Sequence, residues 1–208
     1  MAHGVCWAFV MDGKGGAAPV AAEDMMTPPA PQPPGFFWAH LDAVSAEARV
    51  WLEQKMALPP DIVAALVATQ TRPRFEPIGD GGLINLRGVN HNPGAEPEDM
   101  VSVRIWAEPG RVISTRRTPL LALKDMYVEC GRSRAPATPG ELVSRIALRL
   151  AERMEPVVLD LTERLDDLED ALFEDRRDVT RADLAGPRSE AAQIRRYVAP
   201  QREALRAL

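Results

Sequence analysis

The spacing of apolar positions changes along the 208 residues, and each change marks a different kind of element. VCWAFVM (Val5 to Met11) and FFWAHLD (Phe36 to Asp42) are short apolar and aromatic runs bounded by turn signals or proline, which predicts strands. LINLRGV from Leu83 and MVSVRIW up to Trp106 follow the same rule. In the second of these, Val101, Val103 and Ile105 fall on one side of a sheet and Ser102, Arg104 and Trp106 on the other. A tight turn at Glu108 to Gly110 leads into RVIST, so three strands are expected to meander antiparallel between Leu83 and Thr115. AEARVWLEQKM, capped by Ser45, and IVAALVA, with Pro60 near its first turn, read as short helices. Val50, Trp51 and Met56 are expected on the inner side of the first. A further helix opens at Thr118 and runs through LLALKDMYVEC.

Beyond residue 135 the period settles near 3.6. Leu142, Ile146, Leu150, Met154, Val157, Leu161, Leu165, Leu168 and Leu172 trace one continuous stripe, the mark of a long helix. Full burial of each such side chain is worth roughly 1.5–3 kcal/mol, so the stripe must lie on a partner, either the next helix or another subunit. Pro156 removes one backbone donor and should bend this helix without ending it. Thr180 and Asp183 form a capping box for a returning helix, which Gly186-Pro187 interrupts and Ser189 restarts. Two proline-rich stretches, TPPAPQPPG and GRSRAPATPG, are extended breaks. The fold class is therefore α+β in α/β/α layers: a mixed, largely antiparallel sheet flanked by helices, followed by a long helical hairpin. Residues 1–135 form the α/β domain and 136–208 the helical extension.

Composition narrows the function. A chain that is 46% apolar and 26% charged, with net charge −5, is ordinary for a globular protein and gives no sign of a nucleic-acid partner. It contains no run of about 20 apolar residues and no basic segment ahead of its first apolar run. The helical pattern is still running at Leu208 without a stop signal, which leads us to expect a piece of a longer protein. Cys6 and Cys130 belong to no CxxC pattern and read as free thiols. There is no GxSxG and no HExxH, and Gly13-Lys14-Gly15-Gly16 lacks the hydroxyl residue that a P-loop requires. His40 reads as a strand residue rather than a base, and no enzyme is expected.

Two places carry candidate metal chemistry. In the loop HNPGAEPED, His91 is followed by Glu96, Glu98 and Asp99, although Asn92-Pro93-Gly94 equally makes a solvated hairpin turn. Between Asp160 and Asp178 nine acids face only Arg164, Arg176 and Arg177, leaving −6. Asp166, Asp170 and Glu174 are four apart and stack along one side of a helix. Such a face is either simply solvated or a place where hard divalent cations gather.

The words TRPRFEPIGDGGLINLRGVN, NPGAEPEDMVS, RVISTRR, TPGEL and EPVVLDLTERLDDLED, in that order and at close spacing, resemble the cytoplasmic domain of the CorA metal-ion transporter superfamily, most closely its zinc-transporting ZntB-type branch. The resemblance covers nearly the whole chain. It implies the cytoplasmic part of a divalent-cation (zinc) transporter of the inner membrane: a funnel-shaped homopentamer whose long helices lead into two membrane helices per subunit. It implies roles in funnel formation, assembly and gating, with zinc or another divalent cation as cargo and no resident cofactor. The pore motif of that family is Gly-x-Asn at the end of a membrane helix. Gly88-Val89-Asn90 has the same letters at a strand end, so that role is not transferred to it. A stand-alone soluble module that senses a metal or ligand is the alternative reading.

Overall fold

The structure is a computed structural model that describes residues 2–132, 134–174, 180 and 182–208. Its strands are β1 (Val5–Met11), β2 (Ala17–Pro19), β3 (Phe36–Asp42), β4 (Arg74–Ile78), β5 (Gly81–Gly88), β6 (Val101–Glu108) and β7 (Arg111–Arg116). They form one mixed sheet in the order β2-β1-β3-β7-β6-β5-β4. Only β3 and β7 pair in parallel, and β4 to β7 are the expected meander with one more strand at its edge. The helices are α1 (Ala46–Gln54), α2 (Pro60–Val67), α3 (Leu121–Cys130), α4 (Pro139–Phe173) and α5 (Ala185–Ala207).

Both faces of the sheet are covered, which explains why β3 reads as an unbroken apolar run. Phe36 and Trp38 point into a core shared with Leu123 of α3 and with Leu142, Ile146 and Leu150 of α4. Phe37, Ala39 and Leu41 point the other way, onto Trp51 and Leu52 of α1 and Ile62 and Leu66 of α2. This is the layered arrangement that the apolar patterns predicted.

Four details differ from expectation, each for a local reason. The buried side of α1 is Ala48, Trp51 and Leu52, at i, i+3 and i+4, while Val50 is 48% exposed. Ser45 occupies the cap position with an extended backbone, but its hydroxyl makes no capping bond. Gly186 and Pro187 do not break α5, because they lie in its first turn, where backbone N–H groups have no intrahelical partner to lose. The Asp183 carboxylate accepts from the Thr180 N–H and hydroxyl (2.7 and 2.8 Å), closing a turn ahead of α5 instead of a reciprocal box.

The α4 helix starts where the sequence places it. The Thr138 hydroxyl accepts from the Glu141 N–H, and the Glu141 carboxylate accepts from the Ala137 N–H at 2.7 Å. Those bonds, and then Arg145, hold the Glu141 carboxyl below its ordinary pKa. The helix runs 35 residues through Pro156, about 50 Å at 1.5 Å per residue. Its stripe changes partner on the way. Leu142, Ile146 and Leu150 lie against the sheet and α3. Met154 and Leu161 join Ile194 of α5, together with Val89 and Met100 from the β5–β6 connection.

Candidate functional site

Asp166 and Asp170 lie on the exposed side of α4, and Glu174 caps its end, also exposed. Asp175, Arg176, Arg177 and Asp178 of the acidic run lie outside the described residues. Arg164 is drawn into pairs with Asp160 at 3.1 Å and with Glu190 of α5. His91 is exposed in the β5–β6 connection and borders a different groove, of about 440 Å³, with Glu96, Glu98, Asp160 and Glu190. The fold thus does not bring His91 to Asp166, Asp170 and Glu174. Among the described residues no three His, Cys, Asp or Glu side chains converge well enough to hold a metal ion. The loop around His91 is closed by its own polar groups. The Asn90 side-chain oxygen accepts from the Asn92 N–H and amide, and the Asn92 amide also reaches the Pro119 carbonyl at 2.9 Å. The left-handed backbone at Gly94 (φ 76°) completes the turn.

The glycine-rich turn after β1 is filled from within. The Asp12 carboxylate accepts from the backbone N–H groups of Lys14 and Gly16 at 2.7 and 2.9 Å, and these bonds lower its pKa. The amides that a phosphate-binding loop would offer are already occupied.

Among the described residues a serine–histidine pair meets on the strands β3 and β7. Ser114 Oγ lies 2.9 Å from His40 Nδ1 and accepts from Trp38 Nε1–H at 2.9 Å. Both residues are wholly buried, and Trp7 stacks on the imidazole with ring centroids 4.4 Å apart. Burial, and then the neighbouring Arg116 charge, push the His40 pKa down to about 3, so the ring is neutral. A hydroxyl sealed in this way packs a core. The Cys130 thiol is likewise driven up to about 12, first by burial and then by Glu129, which leaves it inert.

A basic surface is one that sequence reasoning missed. The β4–β5 ladder ends at the Arg74–Asn85 pair. The backbone of Arg87 is therefore free on that side, and Gln201 of α5 takes the place of a strand. Arg87 N–H donates to Gln201 Oε1 at 2.6 Å, and Gln201 Nε2 donates to the Arg87 carbonyl at 3.1 Å. One helical turn earlier, the Tyr197 ring lies over the Arg87 guanidinium at 4.0 Å. These contacts fix α5 against the sheet and open a groove of about 680 Å³ beside it, lined by Arg72, Arg74, Arg87 and Arg196. The available signal was an arginine in the middle of each of two apolar strands, Arg87 and Arg104.

Among the described residues no helix is long and apolar enough to cross a membrane. The family model described as "CorA-like Mg2+ transporter protein" matches residues 34–208. The chain is 33% identical over 200 residues to the zinc transport protein ZntB of Pectobacterium atrosepticum, covering 96% of this chain and 59% of that protein. It is 35% identical over 208 residues to the divalent cation transporter CmaX of Pseudomonas aeruginosa, covering 97% of this chain and 61% of the relative. A structure of full-length CmaX superposes with a TM-score of 0.89 at 35% identity, over 98% of this chain and 62% of that one. The cytoplasmic domain of ZntB from Vibrio parahaemolyticus, at 24% identity, shares the fold with a TM-score of 0.83 over all of this chain and 79% of its own.

Proposed function

The chain belongs to the CorA-like family of metal-ion transporter proteins, and from that premise we propose that it is the cytoplasmic domain of a divalent-cation transporter of the inner membrane, with zinc as cargo. The observation that carries this reading is the likeness to full-length CmaX, which extends over 98% of the chain at a TM-score of 0.89. The chain spans only 59% and 61% of the two relatives, so transport itself would need the remaining length.

In this reading residues 1–135 are the body and 136–208 the arm that leads toward the membrane. Val158, Leu159 and Leu205 stand exposed beside the apolar groove between α4 and α5. We assign that face to a neighbouring copy in a homopentameric funnel, whose relative movement would gate the pore. Asp166, Asp170 and Glu174 act as a field, not a chelate: exposed like charges raise the local concentration of divalent cations.

The test is exchange. The chain replaces the corresponding region of CmaX, and zinc uptake into reconstituted vesicles is followed. Retained uptake supports the proposal; a chimera that assembles in the membrane yet carries no zinc would overturn it.

A further inference from the structure

The groove beside α5 gathers four arginines with few acids close to them. Arg72, Arg87 and Arg196 have no carboxylate within 4.0 Å among the described residues, and Arg74 has only the exposed Glu76, at 3.4 Å. The arginines of α4 behave otherwise: Arg145, Arg149 and Arg153 each meet an acid. Next to the groove, in one row across the sheet, Arg74 pairs with Asn85 and Asn85 with Arg104. Asn85 and Arg104 are 1% and 0% exposed. Arg104 Nε and Nη1 and both side-chain amide atoms of Asn85 have no hydrogen-bond partner, and neither do Arg87 Nε and Thr71 Oγ1. Of these residues Arg87 and Thr71 line the groove, and Asn85 and Arg104 lie buried in the row beside it.

Buried polar groups are nearly always paired, and a buried cation without a counter-charge is costly. Water can satisfy donors but supplies no charge. The groups that line the groove come from several directions: the sheet (Arg74, Arg87), the segment before β4 (Thr71, Arg72) and α5 (Arg196). A planar carboxylate fits one guanidinium fork, whereas a tetrahedral oxyanion can accept from all of these sides. Tyr197 holds the Arg87 guanidinium from one face, and its two terminal nitrogens donate to the Met100 and Thr71 carbonyls, so Arg87 contributes charge to the groove and only its Nε lacks a partner.

We propose that this groove binds a phosphate-class oxyanion, presented either by a soluble phosphorylated small molecule or by an anionic phospholipid headgroup. The ligand bridges Arg72 and Arg196, and so fastens α5 to the sheet edge where Gln201 already grips Arg87. The assignment does not depend on the transport reading.

Calorimetry with inorganic phosphate and pyrophosphate at low, constant ionic strength tests it, using the whole chain. Arg72 and Arg196 are exposed, so the double variant R72Q/R196Q keeps the fold, which thermal melting verifies. We expect saturable binding that this variant weakens by about tenfold or more, while R49Q/R188Q, the same charge change elsewhere, stays within about twofold. Co-sedimentation with phosphatidylglycerol or phosphatidylcholine vesicles separates the sources. Capture by the former alone, lost in R72Q/R196Q, assigns a headgroup; phosphate binding without capture assigns a soluble ligand. The proposal fails if neither millimolar phosphate nor phosphatidylglycerol binds, or if R72Q/R196Q binds as well as the parent chain.

Discussion

The two halves of α4 carry the same apolar stripe and meet different fates. In the first half Leu142, Ile146 and Leu150 are wholly buried, and arginines on the flanks tie the helix down. Arg149 donates to Glu129 at 2.7 Å, and Arg153 makes a two-pronged contact with Asp125 at 2.6 and 2.7 Å. In the second half Val157, Leu165, Leu168 and Leu172 are only partly covered, Leu159 is 56% exposed, and most charges are acids facing water. A period of 3.6 states that a helix has an inner side, but it does not state what that side touches. The first half is packed onto the sheet and α3. The second has room for a neighbour.

The contrast can be broken most directly with volume. Leu150→Ala should destabilise the chain by about 2–5 kcal/mol, whereas Leu165→Ala should cost less than about 1 kcal/mol, read from urea midpoints. Equal losses would erase the distinction. The close contact is at Gly88, where an added Cβ would meet Leu150 Cδ2 at 2.6 Å. Gly88→Ala should therefore destabilise the parent and be partly rescued by Leu150→Ala, a coupling that a double-mutant cycle would show.

Acid sharpens the same contrast, because the body contains His40 and the arm has no such group. His40 has a pKa of about 3 in the fold and an ordinary value of 6.5. Below pH 6.5 the unfolded chain binds the proton and the folded chain does not. This contribution is complete above about pH 6.5 and is lost as pH falls toward 3, at up to ~1.4 kcal/mol per pH unit. At pH 5 the loss should approach ~2 kcal/mol, and His40→Asn should flatten the acid limb of the stability profile.

Smaller effects follow. Arg153→Gln should cost about 0.5–1 kcal/mol, since the pair with Asp125 is about a third exposed. Asp166→Asn, Asp170→Asn and Glu174→Gln together should change stability by less than about 0.5 kcal/mol. In a transporting chimera they should slow zinc uptake at low salt and lose that effect at high salt. An effect that ignores ionic strength would mean a chelating site and contradict the field reading.

Much of the body was legible because one local rule sufficed. A strand buried on both faces must be apolar throughout, and β3 is; an amphipathic meander must alternate, and β6 does so. The run through Pro156 was legible for the same reason. What escaped notice depended on contacts between distant segments. Alternation placed Arg104 opposite Val103 and Ile105 on β6 but did not show that it is wholly buried, with only the Thr69 carbonyl at 3.5 Å. Burial, and then Arg117 and Arg87, lower its pKa to about 10. No spacing rule links Gln201 to Arg87, 114 positions apart. His91 and the acids of α4 were visible as residue types, but whether they converge is decided by the packing of α4 against the β5–β6 connection.

The most direct measurement is the exchange into CmaX run in two arms, residues 1–208 and residues 136–208 alone, with zinc uptake measured for each. The account predicts that the first supports uptake. The second should not, because α4 leaves behind the sheet and α3 on which Ile146, Leu150 and Arg153 depend. Silence of an assembled 1–208 chimera would contradict the assignment to a zinc transporter, and uptake by the 136–208 arm alone would contradict the dependence of the arm on its body.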